Sequence, residues 1–348
     1  MSAAGSPNPE YVVARVRSRR SALFDDDDYR KLIRMSPSEI ARFMEESTYE
    51  TEINALGSRH GGVDLIEYAL NRNLAKQFED ILSWADGRLY DLVARYLRKF
   101  DSWNAKTAIR GVYSGTDPEE IDADFIRAGE FDDRLLDRLL DVGTVEEAVE
   151  VLRGTTFGDR LEDALADYED TGVLVPIENA IDRAYYEALL SDLVVDEETE
   201  LYREFLEAEI DFRNARNALR LARSGADIDP AEYYIEGGRL FDATELAALA
   251  GSAPDLLQRL RDSRYGEDLS TALDDLEGAE SLIGFEHALD AALLEYSDRL
   301  GHVYPLSVTP VVSYILAKER EVDNIRAIAR GSEAGLTAEE IEEELVIL

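Results

Sequence analysis

Apolar residues recur at three- and four-residue steps, with charged residues between them, from Leu65 to Phe100, from Ile177 to Leu193 and from Thr199 to Arg223. That spacing lines one face of a helix with 3.6 residues per turn. The two-residue alternation of half-buried strands is nearly absent. Prolines sit where helices would begin, at Pro37 after Ser36, Pro118 after Asp117 and Pro230 after Asp229, positions that tolerate a missing amide. The pattern predicts an all-α fold.

One helical stretch is written three times. In EIDFRNARNALRLARSG, Glu209–Gly225, the residues Asn214, Arg216, Arg220 and Gly225 recur 110 positions earlier as Asn104, Lys106, Arg110 and Gly115. They recur 110 positions later as Asn324, Arg326, Arg330 and Gly335. Upstream, LIEYALNRNL, PIENAIDRAY and GFEHALDAAL align on Glu67, Glu178 and Glu286, which precede the motif asparagines by 37, 36 and 38 residues. Tyr49, Phe157 and Tyr265 lie 18, 21 and 21 residues before those glutamates, and FIRAG from Phe125 matches YIEGG from Tyr234. The period is longer than that of common helical solenoids, roughly 33 to 47 residues. It predicts three helical units, 1–115, 116–225 and 226–348, the last closed by an acidic tail.

On a helix, the motif predicts buried stripes at Ala105, Ala108 and Ile109, at Ala215, Ala218 and Leu219, and at Ile325, Ile328 and Ala329. The asparagine falls at the stripe's edge, where its amide can bond a neighbouring helix. The two basic residues lie four apart on the far side, where like charges repel by a few tenths of a kcal/mol. Something acidic should answer them. An ion pair inside each unit, to Glu67, Glu178 or Glu286, is the first expectation; a ring of arginines meeting a partner is the second. The motif glycines are expected to be left-handed helix caps. Asp117 with Glu120, and Thr337 with Glu340, fit the capping box of a following helix.

Composition changes the picture of the surroundings. The formal charge is -38, and only five of 37 basic residues are lysine. Such a surface stays hydrated where salt compresses the Debye length to about 3 Å, which predicts a salt-loving host. It disfavours nucleic acid and direct adhesion to anionic lipid. Without cysteine there is no disulfide framework, thiol nucleophile or Cys zinc site. No apolar stretch approaches the roughly 20 residues of a membrane span, and the amino terminus lacks a signal-like apolar region. A soluble chain with protein partners is expected.

No catalytic residue, cofactor or metal is predicted. Asp25–Asp28 lacks the spaced ligands and central glycine of a calcium loop and is expected to be a solvated turn. His60, His287 and His302 have no metal-ligand spacing. No phosphate loop, dinucleotide fingerprint or nucleophile elbow occurs.

YPLSVTPVVSYILAKEREVDNIRAIARG from Tyr304, ENAIDRAYYEALL from Glu178 and YVVARVRSRRSALFDDDDYRKLI from Tyr11 resemble the C subunit of archaeal A-type ATP synthases, the counterpart of the d subunit of the vacuolar proton ATPase. The resemblance covers essentially the whole chain. It implies three similar helical domains arranged with pseudo-threefold symmetry as a funnel or socket. It also implies a non-catalytic adaptor, one copy per complex, peripheral at the cytoplasmic face of the membrane. Such an adaptor stands on the proteolipid ring and holds the central shaft of subunits D and F. Where the family has a basic residue before the third motif asparagine, this chain has Asp323, which speaks against an acidic partner at that point. Two rival readings are an unrelated helical interaction scaffold and an all-α enzyme with a charged pocket.

Overall fold

In the computed structural model the described residues are 7–191, 193–224, 233–267, 270, 273–274, 282–343 and 345, and all of their regular structure is helical. The long helices fall into two sets. One carries the repeated glutamates: Gly62–Trp84, Val175–Ser191 and Leu282–Val303. The other carries the Asn/Arg motif: Lys99–Ser114, Glu200–Ser224 and Thr309–Ala334. The first motif helix is shorter because a separate helix, Gly87–Leu97, precedes it with Arg98 between them.

Local chemistry sets the helix ends. Asp25 accepts the amide of Asp28 at 3.0 Å while Asp28 reaches back toward the amide of Asp25, so the acidic run is the capped start of a helix, Asp26–Leu32. Three carboxylates in a first turn also complement the helix dipole. Ser36, Pro37 and Glu39 start the next helix in the same manner. Gly115 and Gly335 end their motif helices with φ of 71° and 77°, the left-handed region that glycine enters without a Cβ clash. Gly225 lies outside the described residues.

The predicted stripes are the core. Ala105, Ala108, Ile109, Ala215, Ala218, Leu219, Ile325, Ile328 and Ala329 are all buried, and the core runs on without a break through Phe78, Phe100, Phe157, Tyr202 and Phe205. At about 25 cal/mol per Å² of apolar surface removed from water, this burial is the main stabilising term.

The two ends of the chain build one part of the fold together. The last long helix packs on Gly62–Trp84 and on the first helix, Pro9–Arg20. Arg20 donates to Ser313 Oγ at 2.6 Å, the Phe24 amide to Glu321 at 2.6 Å, and Ser332 Oγ to the carbonyl of Met35 at 2.9 Å. Inside that contact, Lys318 is 1% exposed and donates to Glu321 at 2.7 Å and to the Tyr49 hydroxyl at 2.8 Å. Buried charges persist where each is answered.

Candidate functional site

The repeated residues come together as a cycle. Arg110 grips Glu178 with two hydrogen bonds, Nε at 2.5 Å and Nη2 at 2.8 Å. Arg220 grips Glu286 in the same two-pronged way, and Arg330 donates Nε to Glu67. The planar guanidinium matches a carboxylate bidentately. The glutamates are the predicted ones, but the expectation of a pair inside each unit is corrected. Arg110 reaches the glutamate of the second segment, Arg220 that of the third, and Arg330 returns to the first.

The second basic residue follows the same course, one helical turn along. Lys106 donates to Asp182 at 2.6 Å and Arg216 pairs with Asp290, and these acids stand four residues after Glu178 and Glu286. The matching position after Glu67 is Asn71. Arg326 therefore has a neutral partner in the Asn71 carbonyl at 2.8 Å, with Asp323 supplying the charge at 2.8 Å. Asp323 is thus an acid held by its own helix.

Burial decides which of these pairs matters most. The Arg110, Arg220 and Arg330 side chains are 53%, 55% and 57% exposed, where an ion pair contributes about 0 to 1 kcal/mol. The Lys106 and Asp182 side chains are only 13% and 14% exposed. For Asp182, burial pushes the carboxyl pKa up, but Lys106 and Arg213 outweigh it and hold it below the usual carboxylate range. The Glu178 and Glu67 carboxylates raise the pKa of Arg110 and Arg330.

Two of the motif asparagines bond loops, not the neighbouring helix that was expected. Asn104 donates to the carbonyl of Ile126 at 2.9 Å and accepts its amide at 2.8 Å. Asn214 makes the same pair with Ile235, both at 2.8 Å. Asn324 is buried beside the Tyr29 side chain, which belongs to the neighbouring helix Asp26–Leu32.

Three residues before each asparagine stands an acid that the repeat motif does not include: Asp101, Asp211 and Glu321. Asp101 accepts the amides of Glu130 and Phe131, each at 2.9 Å. Asp211 accepts those of Arg239 and Leu240 at 3.1 and 3.0 Å. A Cβ on Gly129 or Gly238 would sit 2.1 Å from the respective carboxylate oxygen, which explains the shared glycine of FIRAG and YIEGG. Tyr49 and Tyr265 donate their hydroxyls to Glu321 at 2.8 Å and to Asp211 at 3.0 Å; Phe157 has no hydroxyl to give. The spacing of 110 was the available signal.

A cavity of about 370 Å³ lies beside Asp101, lined also by Arg98, Glu130, Phe157 and Tyr185. Burial raises the Asp101 pKa to about 6 against the pull of its two amides. Its carboxylate thus anchors a loop. Among the described residues no group of three or more metal-ligating side chains occurs. His60 packs against the Tyr68 ring, tilted by 41°, and His302 bonds the carbonyl of Asp298 at 2.8 Å.

A family model described as ATP synthase (C/AC39) subunit matches residues 12–344. The chain belongs to the ATP synthase (C/AC39) subunit family. Proteins named as the C subunit of A-type ATP synthase are similar over their whole length: that of Haloferax volcanii is 74% identical, covering 100% of both chains, and that of Halobacterium salinarum is 61% identical at the same coverage. That of Methanosarcina mazei is 34% identical over 99% of this chain and 94% of its own. The C/AC39 family is a non-catalytic component of a rotary ATP synthase, so neither the enzyme reading nor the unrelated scaffold stands. Halophilic archaea among these relatives agree with the salt-loving host expected from the charge. No helix among the described residues is long and apolar enough to cross a membrane.

Proposed function

We propose that the chain is the adaptor of an A-type ATP synthase, standing on the proteolipid ring at the cytoplasmic face of the membrane and seating the central shaft of subunits D and F. Rotation driven by ion flow then passes through it to the catalytic head. It takes part as a single copy and supplies no chemistry.

The observation that carries this reading is the closed cycle Arg110–Glu178, Arg220–Glu286 and Arg330–Glu67. Equivalent contacts at one sequence period, each made to the next segment and the last to the first, are what three similar domains around a pseudo-threefold axis require. The repeat boundaries near 116 and 226 mark these domains in sequence, and the polar contacts cross them. A closed cycle has no free edge to open under shear. The exposed pairs fix register and direction, while close-packed interiors give stiffness. The repeated Glu, Asn, Lys and Arg residues therefore serve the ring's own closure, and partner contacts lie elsewhere on a funnel-shaped body.

Affinity purification of the tagged chain from mildly solubilised membranes in high salt tests this. Retention of a proteolipid together with D and F is expected. A chain recovered free, with neither ring nor shaft, overturns the adaptor reading.

A further inference from the structure

At every joint of the cycle the paired helices run antiparallel. Arg110 and Lys106 meet Glu178 and Asp182, Arg220 and Arg216 meet Glu286 and Asp290, and Arg330, Arg326 and Tyr314 meet Glu67, Asn71 and Gln77. Each motif helix therefore begins beside the end of the next glutamate helix. The three connections that follow Trp84, Ser191 and Val303 thus lie at one end of the body. Two of them touch, since Arg88 donates to the carbonyl of Val194 at 2.7 Å and pairs with Asp196. The first helix starts at the same end: Asn8 donates to the carbonyl of Trp84 at 2.8 Å and accepts the amide of Asp86 at 3.0 Å.

This end is where the chain leaves apolar side chains in water. Of the nine large apolar side chains exposed among the described residues, five are here: Tyr11, Val194, Val195, Val303 and Leu306. Val194 and Val303 are the most exposed of the nine, at 68% and 66%. They stand 16 and 17 residues after Glu178 and Glu286, so the exposure recurs at equivalent places of the second and third units. In the first unit Trp84 stands 17 residues after Glu67. Its ring is partly covered by Arg15, which also lies over the exposed Tyr11, and by Arg19. Apolar surface left in water forgoes about 25 cal/mol per Å²; gathered at one end of so acidic a chain, it marks a contact surface.

We propose that this end of the body is the face that sits on the proteolipid ring, an inference that rests on the adaptor reading. Apolar tips at equivalent places around one pseudo-threefold axis fit an annular partner that shares the axis, whereas a shaft enters along it. Loops on the cytoplasmic side of membrane helices carry an excess of Lys and Arg. They suit a chain of charge -38 in which Glu197 and Glu198 follow closely on Val194 and Val195. A bare anionic leaflet would repel the same carboxylates.

The test uses the complex solubilised mildly from membranes in high salt, with photoreactive benzoylphenylalanine replacing Val194, Val303 or, as a control, Val173. Val173 is exposed too, but it precedes the helix Val175–Ser191 and so lies at the opposite end. Crosslinks to the proteolipid are expected from positions 194 and 303 and not from 173. Independently, the double variant Val194→Ser/Val303→Ser should keep its melting midpoint and its D and F subunits while proteolipid recovery falls several-fold. In preparations that hold the proteolipid, crosslinks from 194 and 303 to D, to F, to lipid or to a second copy of this chain overturn the inference and leave the adaptor reading standing. The absence of any crosslink, or full proteolipid recovery with the double variant, does the same. A chain recovered with neither ring nor shaft overturns both.

Discussion

Arg330 donates its Nε to the carboxylate of Glu67, 263 residues earlier in the chain, and so closes on the first segment a series that Arg110 and Arg220 continue forward. The contact joins the two ends of the chain across the same kind of pair that joins its interior segments. What differs is the residue one turn away: Asn71 here, Asp182 and Asp290 at the other two joints.

A double-mutant cycle on Arg330→Ala and Glu67→Ala should give a coupling energy of about 0.3 to 1 kcal/mol by chemical denaturation at moderate ionic strength, shrinking further in molar salt. The Lys106–Asp182 pair, with both side chains largely buried, should couple more strongly and keep more of its coupling in salt. Equal coupling at both pairs would mean that burial does not govern these contacts.

Gly129→Ala and Gly238→Ala should each destabilise the protein by about 1 to 3 kcal/mol, because the new Cβ would displace the carboxylate of Asp101 or Asp211 from two backbone amides. Urea unfolding midpoints check this. Similar losses at both glycines, against little effect for Gly154→Ala, where a Cβ meets open space, would mark the two loops as equivalent devices.

How much of this could be read from the sequence depends on the kind of contact. Helix stripes and ends were legible because they are local: the stripe at Ala105, Ala108 and Ile109 is buried, Gly115 and Gly335 are left-handed caps, and Thr337 and Glu340 form their reciprocal box. At the other expected box, Asp117 caps the helix by accepting the amide of Glu119 instead of Glu120. The acids that answer the arginines were legible as residue types. Their topology was not, since a strict period looks the same whether Arg110 meets the glutamate before it or the one after it. The contacts Arg110–Glu178 and Arg220–Glu286, with the wrap-around from Arg330 to Glu67, remove that ambiguity. Asp101, Asp211 and Glu321 were hidden for a different reason: in a chain with 75 acidic residues, three more at the right spacing do not stand out until the amides they hold are seen.

Among the carboxylates that set the pH profile, Asp101 and Asp182 are shifted in opposite directions, and burial also raises Glu319, to about 7. Burial holds Asp101 at about 6 when folded, against about 3.9 unfolded. Its folded form binds the proton more tightly, so its contribution is full below about pH 4 and is lost as pH rises through 6; at about 1.4 kcal/mol per unit the swing is on the order of 3 kcal/mol. Asp182, held low, contributes above about 3.9 and loses that contribution only on further acidification. Denaturation midpoints at fixed salt should therefore fall between pH 4 and 6.5, and Asp101→Asn should remove part of that fall, leaving the part that Glu319 contributes. A wild-type profile flat over this window, or a fall that Asp101→Asn leaves intact, contradicts the assignment.

Salt should decide whether the chain folds at all. It carries 75 acidic against 37 basic residues, and dilution lengthens the Debye screening to about 30 Å at 0.01 M, across which the uncompensated carboxylates repel. Far-ultraviolet circular dichroism should show helix in molar salt and its loss on dialysis to near-zero salt. An unchanged spectrum would mean that the packed core outweighs the repulsion.

Lys318 tests the joint between the chain's ends from inside. Its ammonium lies 4.0 Å from the centre of the Tyr49 ring and bonds both the Tyr49 hydroxyl and Glu321, while Glu321 also holds the amide of Phe24 at 2.6 Å. Lys318→Met keeps the volume and removes the charge, which leaves Glu321 buried with hydrogen bonds but no counter-ion. The expected loss is about 3 to 5 kcal/mol. Converting Glu321 as well, in Lys318→Met/Glu321→Gln, should recover part of it, because a neutral amide needs no counter-charge. Hydrogen exchange should rise in the first helices and in Thr309–Ala334 while Val175–Ser191 stays protected, since the lost contact joins only the first two. A uniform rise across all the long helices would instead mean that the ends of the chain are not a separately yielding joint.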